Sequence, residues 1–171
     1  MAKTLFLLRH AQAQSFIDET GDFARELTHQ GRAAASAVGS WLKQRKLVSP
    51  AWLVSPATRA RQTAELALLA SGMSSTLTLV PTIYSGNAES LLALLSQAVP
   101  QEFAQVILVG HNPTIEYLAA LLMGHGDGQR SVPSFNTATL VELAYDGNWN
   151  DLAPGCATWV QSVDGRSLAL T

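Results

Sequence analysis

Cysteine, charge and long apolar runs are scarce in this sequence, and each scarcity excludes a class of protein. Cys156 is the single cysteine, so no disulfide can form within the chain, and we expect a reducing, cytoplasmic setting. No apolar run approaches the roughly 18 residues that a membrane-spanning helix needs. Residues 1–4 lead into the first predicted strand without a signal-peptide pattern. The sequence therefore predicts neither a disulfide-stabilised secreted protein nor a membrane protein.

An excess of positive charge is also missing. Eleven lysines and arginines face 13 aspartates and glutamates, for a net charge of -2. This balance argues against nucleic acid or an anionic membrane as a partner, so any positive potential must be local. Apolar residues, in contrast, make up 47% of the 171 residues, which is too many for a disordered chain. We expect one domain that spans residues 1–171 and buries a sizeable core.

Three short apolar runs each lead into polar or cationic side chains. The runs are residues 5–8 before Arg9 and His10, residues 51–54 before residues 55–59, and residues 106–109 before Gly110 and His111. Unbroken apolar runs of this length are typical of strands buried on both faces of a sheet. Ligands of open α/β sheets bind at the carboxyl ends of the strands. We therefore expect Arg9, His10, Arg59 and His111 to converge on one site that suits an anion.

Helical patterns lie between these strands. Helices are predicted from Thr28 as N-cap to about residue 46, from Pro56 with Ser55 as cap to Gly72, from Asn87 or Ala88 to about Pro100, and from Pro113 to the glycine-rich stretch 124–128. Further strands are predicted over residues 77–80, 139–145, 149–152 and 158–163. The order predicts a three-layer αβα sandwich with a mostly parallel central sheet and an antiparallel edge.

The two histidines could bind a metal ion, but the neighbouring charges argue against it. Arg9 and Arg59 would repel a dication, and no nearby carboxylate or cysteine completes a set of ligands. Two guanidinium groups instead match the planar, bidentate geometry of a phosphoryl group. We therefore expect a phosphate site without a metal or other cofactor.

A neutral imidazole beside that phosphate site is a suitable nucleophile near pH 7. Nearby guanidinium groups disfavour a second positive charge on the ring and keep the attacking nitrogen unprotonated. The residues favour a two-step mechanism in which one histidine is phosphorylated and water then hydrolyses the phosphohistidine.

Three blocks of the sequence resemble the signature motifs of the histidine phosphatase superfamily. They are Arg-His-Ala at 9–11, Ser-Pro-Ala-Thr-Arg-Ala-Arg-Gln-Thr at 55–63 and Gly-His-Asn-Pro at 110–113. The blocks occur in the order of that family, and the resemblance covers residues 3–145. The segment Arg-Glu-Leu-Thr-His-Gln-Gly at 25–31 and the lack of a large insertion make the chain most similar to the SixA-type phosphohistidine phosphatases.

The resemblance implies a phosphoglycerate-mutase-like architecture and a role for each matching residue. His10 would be the nucleophile, and Arg9, Arg59 and His111 would bind the phosphoryl group. Arg25 would contact the substrate, although a solvated loop charge is an equal alternative. Arg61 is interpreted as a surface charge, and no role is expected for His29 at a helix start or for His125 in the glycine-rich stretch.

Many relatives use a carboxylic acid to protonate the leaving group, and the sequence offers no clear candidate. Glu89 is better explained as a first-turn helix residue, and nothing in the sequence fixes the loop acids Asp18, Glu19 and Asp22 at the site. An alkoxide leaves poorly without a proton, whereas a protonated phosphoimidazole leaves as neutral imidazole. We therefore expect the substrate to be phosphohistidine in a protein, such as a phosphotransfer domain.

Two alternatives remain open at this point. The chain could hydrolyse small phosphomonoesters with the same nucleophile, or, less simply, act as a mutase. It could also be a module that binds phosphorylated ligands without turnover, although such a module would be expected to have lost the nucleophile or an arginine of the pocket.

Overall fold

The structure, a computed structural model, describes residues 2–16, 21–124 and 131–171. Within these residues, six strands form one sheet in the order β3-β2-β4-β1-β5-β6. The strands are β1 (Ala2–Arg9), β2 (Ala51–Val54), β3 (Leu77–Leu79), β4 (Gln105–Gly110), β5 (Thr139–Asp146) and β6 (Ala157–Asp164). The first four strands run parallel, and β5 and β6 are antiparallel to their neighbours. The predicted parallel sheet with an antiparallel edge is confirmed.

Helices cover both faces of the sheet. They are α1 (His29–Gln44), α2 (Thr58–Ser71), α3 (Pro81–Ser85), α4 (Ala88–Ala98), α5 (Thr114–Met123) and α6 (Gly165–Leu168). Alternate residues of β1 face opposite layers. Phe6 and Leu8 pack in a cluster with α1 and α2, whereas Leu5 and Leu7 pack in a cluster with α4 and α5. The fold is therefore the expected three-layer αβα sandwich.

The strand register brings the predicted site residues to one edge of the sheet. Arg9 at the end of β1 lies opposite Gly110 at the end of β4, and Val54 at the end of β2 lies opposite Val109. The chain leaves all three strands at the same level. His10, Ser55 and His111 are the next residues, and the His10 and Ser55 amides extend the pairing by donating to the carbonyls of Gly110 and Val109.

Helix α1 lies against the backbone of its neighbours, and two of its glycines make this possible. A Cβ atom on Gly39 would lie 2.2 Å from the carbonyl oxygen of Ala67 in α2, and one on Gly31 would lie 2.1 Å from the carbonyl oxygen of Gln12. Thr28 is the N-cap, as expected, and its side chain accepts a hydrogen bond from the Gly31 amide. The Thr28 amide donates in turn to the Gln12 carbonyl at 3.0 Å, and this second contact holds the loop after β1 against the start of the helix.

Four details differ from the sequence-based prediction. Helix α2 begins at Thr58, so Ser55 is not its cap. Pro113 takes the N-cap position of α5 and is not its first helical residue. Residues 149–152 form no strand, because Trp149 is buried in a 3-10 turn and its indole N–H donates to the Phe103 carbonyl. The short helix α3 has no periodic apolar pattern and was not predicted.

Part of the prediction concerns residues outside the described ranges. Gly124 ends α5 in a left-handed conformation, as a C-terminal glycine commonly does. The rest of the predicted glycine-rich stretch, with His125, lies outside the described residues, and so do the loop acids Asp18 and Glu19. Among the residues that are described, none of the helices has the length and apolar content needed to cross a membrane.

Candidate active site

His10 lies directly after β1 and is buried, with 8% of its surface exposed. Its Nδ1 atom is 2.8 Å from the carbonyl oxygen of Ala11, and its Nε2 atom is 3.3 Å from Nε of Arg59. A carbonyl oxygen can only accept, so Nδ1 carries the proton in the neutral ring. The lone pair of the imidazole is therefore on Nε2, which faces the arginine.

The surroundings of His10 keep this imidazole neutral. Burial is the largest cause, and together with the electrostatic interaction with His111 and the charges of Arg59 and Arg9 it lowers the pKa of His10 from 6.5 to about 3. The Ala11 carbonyl acts in the opposite direction, because it stabilises the proton on Nδ1. A nitrogen with a free lone pair is thus available throughout the neutral pH range.

Arg59 lies in the first turn of α2 and is 6% exposed. Besides its contact with His10, its Nη1 donates to the backbone carbonyl of Asp22 at 2.7 Å and its Nη2 donates to the Asp22 carboxylate at 3.0 Å. The guanidinium is thereby held in one orientation, with its Nε edge towards Nε2 of His10.

His111 follows β4, and its ring centroid is 5.2 Å from that of His10. Its Nε2 atom is 2.7 Å from the Ser55 hydroxyl oxygen. Burial, followed by the charge of Arg59, lowers the pKa of His111 to about 4. Its Nδ1 is buried and has no hydrogen-bond partner among the described residues. The second histidine is therefore also neutral, with one nitrogen available to a ligand.

Arg9 is a second arginine at this sheet edge, and its charge acts on both histidines. Its Nη1 donates to the Phe135 carbonyl at 2.8 Å, an oxygen that Asn112 also contacts. Its Nε is buried without a partner among the described residues. Such unpaired buried donors are uncommon and are expected where a ligand supplies the missing acceptor.

Asp22 joins Arg25 to the site. One carboxylate oxygen accepts from Arg25 at 2.9 Å, and the other accepts from Arg59 and, at 3.1 Å, from the Tyr84 hydroxyl. Arg25 also donates to the Gln14 carbonyl. The structure thus brings Arg25 to the edge of the site through Asp22 and gives it no direct contact with His10.

Two of these residues were missed or undervalued by the sequence reasoning. Asp22 was one of three loop acids with nothing to hold it, and the signal that could have found it was Arg25, three residues later and able to pair with it. Ser55 was interpreted as a helix cap, but it lies directly after β2 and so at the same sheet edge as both histidines.

The remaining charged candidates lie on the surface. Arg61 is paired with Glu65 on α2, and His29 is exposed at the start of α1. Glu89 is exposed in the first turn of α4, beside a groove of about 680 Å³ that Pro113 and Tyr117 also line. Among the described residues, no group of three or more His, Cys, Asp or Glu is arranged to bind a metal ion.

Comparisons with known proteins agree with this geometry. The sequence model of the histidine phosphatase superfamily (branch 1) matches residues 5–81. The chain is 30% identical over 158 residues to the phosphohistidine phosphatase SixA homolog of Haemophilus influenzae, covering 86% of this chain and 92% of that protein. It is 29% identical to Escherichia coli phosphohistidine phosphatase SixA, covering 92% of each. The protein histidine phosphatase SixA complexed with tungstate superposes with a TM-score of 0.80 and 26% identity, covering 96% of this chain and 99% of that one.

Proposed function

The chain belongs to the histidine phosphatase superfamily, and from this membership we propose that it hydrolyses phosphohistidine in proteins, with His10 as the transiently phosphorylated nucleophile. The observation that carries the proposal is the hydrogen bond from Nδ1 of His10 to the Ala11 carbonyl. It fixes the tautomer that has its lone pair on Nε2, beside the guanidinium of Arg59.

In the first step, Nε2 of His10 attacks the phosphorus in line. A new P–N bond forms on His10 while the P–N bond of the substrate breaks. The substrate imidazole carries a proton on its other nitrogen and leaves as neutral imidazole. In the second step, water attacks the phosphorylated His10, so that inorganic phosphate is released and the neutral His10 is restored.

Three groups are suited to bind the equatorial phosphoryl oxygens. Arg59 has donors beside Nε2 of His10, and Arg9 and His111 each have a buried nitrogen without a partner among the described residues. If the Ser55 hydroxyl donates to Nε2 of His111, the proton of that ring is on Nδ1 and can be donated to an oxygen. Preorganised donors of this kind supply the main stabilisation of a phosphoryl-transfer transition state.

Among the described residues, the acid that contacts Arg59 is Asp22, and its state supports a substrate that needs no proton donor. The Asp22 carboxylate accepts hydrogen bonds from Arg25, Arg59 and Tyr84, and these contacts lower its pKa to about 2. Asp22 is therefore ionised at neutral pH and has no proton to give to an alkoxide. A protonated phosphoimidazole leaves without such help. The names of the two curated relatives support the same substrate class.

The test is a comparison of turnover on a phosphohistidine-carrying phosphotransfer domain with turnover on small phosphomonoesters. We expect the higher kcat/KM with the phosphorylated domain. Equal or higher values with sugar or glycerate phosphates would identify a phosphatase of small phosphomonoesters instead.

A second experiment tests the nucleophile. Rapid alkaline quenching during turnover, followed by peptide mass analysis, should find the phosphoryl group on His10. His10→Ala should retain the folded structure, give no phosphoenzyme and show no turnover above background. Near-normal turnover by His10→Ala would assign the nucleophile to another residue, and phosphate binding by a wild-type chain without turnover would indicate a binding module.

A further inference from the structure

The Asp22 carboxylate contacts the same guanidinium that the proposed function assigns to the phosphoryl group. Nη2 of Arg59 donates to it at 3.0 Å, and the neighbouring Nη1 donates to the backbone carbonyl of the same residue. Both outer nitrogens of Arg59 are thus engaged by Asp22. A phosphate that binds Arg59 through two parallel N–H groups has to take the place of at least one of these contacts.

The carboxylate is held on Arg59 by two further groups. Arg25 donates to one of its oxygens and the Tyr84 hydroxyl donates to the other. Tyr84 itself packs edge-on against the rings of Phe23 and His111. Asp22 is therefore an ionised group with three donors, and like a phosphate it is negatively charged and accepts hydrogen bonds from guanidinium groups.

We propose that Asp22 competes within the molecule with phosphate for Arg59 and thereby sets a low affinity for inorganic phosphate, the product of the reaction. This inference rests on the proposed phosphate site of Arg59 and adds to it a residue that weakens anion binding. An anion that displaces the carboxylate frees donors on both Arg59 and Arg25, but it must also overcome the existing ion pairs. The consequence is weak product inhibition.

The loop around Asp22 has anchors that do not depend on the carboxylate. The Asp22 carbonyl accepts from Arg59, and the Phe23 carbonyl accepts from the Thr58 amide at the start of α2. Asn at position 22 keeps both of these backbone contacts and one side-chain oxygen. Asp22→Asn therefore removes the charge with little change in shape.

The experiment measures the dissociation constant of inorganic phosphate by calorimetry at pH 7.5 and fixed ionic strength. Wild type is compared with Asp22→Asn and with Glu26→Gln, which makes the same change of charge in the same loop at a residue without a contact to Arg59. We expect Asp22→Asn to bind phosphate about fivefold more tightly, the scale of a partly exposed ion pair. Glu26→Gln should bind phosphate as the wild type does.

Tyr84→Phe tests the same idea without any change of charge. It removes the hydroxyl that holds the carboxylate and leaves the ring contacts in place, so phosphate should again bind more tightly, by a smaller factor. The inference is overturned if Asp22→Asn binds phosphate as weakly as the wild type or more weakly, because Asp22 would then only position Arg59. Equal tightening by Glu26→Gln would also overturn it, since the effect would then be one of overall charge.

The outcome is separable from that of the proposed function. If Asp22→Asn hydrolyses phosphohistidine but binds phosphate no more tightly, the competition is refuted and the phosphatase proposal stands. If phosphate binding changes as expected and phosphohistidine is not hydrolysed by the wild type, the proposed substrate is wrong and the competition stands.

Discussion

Arg59 makes the contacts on which the proposed chemistry depends most directly. Its three nitrogens face His10, the Asp22 carbonyl and the Asp22 carboxylate. Lysine keeps the charge but replaces the planar set of donors with one ammonium group. We expect Arg59→Lys to lower kcat/KM by roughly two orders of magnitude, the scale for loss of a preorganised donor.

The matched control for this variant is Arg61→Lys, two residues further along α2. Arg61 is half exposed and pairs with Glu65. The Arg61→Lys variant should therefore keep the kcat/KM of the wild type. Similar losses in both variants would show that helix α2 as a whole, and not the site at its first turn, is sensitive to the change.

The two histidines of the site, of which His10 is buried and His111 is half-buried, make stability depend on pH. Their pKa values are lowered from 6.5 to about 3 for His10 and about 4 for His111, so the folded chain leaves both neutral while the unfolded chain protonates them below about pH 6.5. The free energy of unfolding should therefore fall as the pH drops from 6.5 towards 4, by at most about 1.4 kcal/mol per pH unit for each histidine.

Urea unfolding at pH 7 and pH 5 measures this dependence. His111→Gln should lose less stability between the two pH values than the wild type does. His29→Gln removes an exposed histidine at the start of α1 and should leave the difference unchanged. An unchanged difference in His111→Gln would mean that its ring is protonated in the folded chain.

For single residues, the sequence predicts the position of a side chain well where that residue ends or directly follows a buried strand. Arg9, His10 and His111 could be placed at one edge because apolar runs lead directly into them. The contacts of Asp22 could not be predicted from the sequence, because they connect a loop to Arg59, 37 residues later, and to Tyr84, 62 residues later. No local pattern records such a distant hydrogen bond.

At the scale of elements, α1 packs closely against α2, the helix whose first turn carries Arg59. Alanine normally stabilises a helix interior relative to glycine. At Gly39 the sign should reverse, since the new Cβ atom would lie 2.2 Å from a backbone oxygen of α2. We expect Gly39→Ala to lower the free energy of unfolding by about 1–3 kcal/mol.

Ser40→Ala is the control for this substitution, because Ser40 is the next residue of α1 and is exposed. Urea unfolding should find it neutral or slightly stabilised. If Gly39→Ala were stabilised as well, the two helices would have to be further apart than in the structure.

The element boundaries were predictable where a strong local signal exists. Thr28, Asn87 and Gly72 end or begin helices as expected from their capping chemistry. The Ser-Pro pair at 55–56 resembles a helix start, and the prediction of a helix there is wrong. The pair belongs to the turn between β2 and α2, where the Ser55 hydroxyl contacts His111. The turn at Trp149 was also misread, because burial of the indole and its bond to Phe103 are tertiary contacts.

At the scale of the whole molecule, the site joins segments that are distant in the sequence. It includes the ends of β1 and β4 and the first turn of α2, so an anion that bridges them binds only the folded chain. A tetrahedral oxyanion such as tungstate, which resembles phosphate in shape and charge, should therefore raise the Tm of the wild type. At a hundredfold excess over Kd the stabilisation should be about 2.7 kcal/mol.

Differential scanning calorimetry in tungstate and in chloride of equal ionic strength checks this effect. Arg59→Lys should show a smaller increase in Tm at the same tungstate concentration. A rise of equal size in both proteins would place the anion at another site.

The pairing of β1 with β4 determines where residues can be inserted into this chain without disrupting the site. Because alternate residues of a strand face opposite layers, inserting one residue within β1 would turn the His10 imidazole away from His111 and expose Phe6 or Leu8 to the wrong layer. Lengthening the connections that follow the helices leaves this pairing untouched. Segments outside the strand ends can therefore be exchanged without moving His10 away from His111.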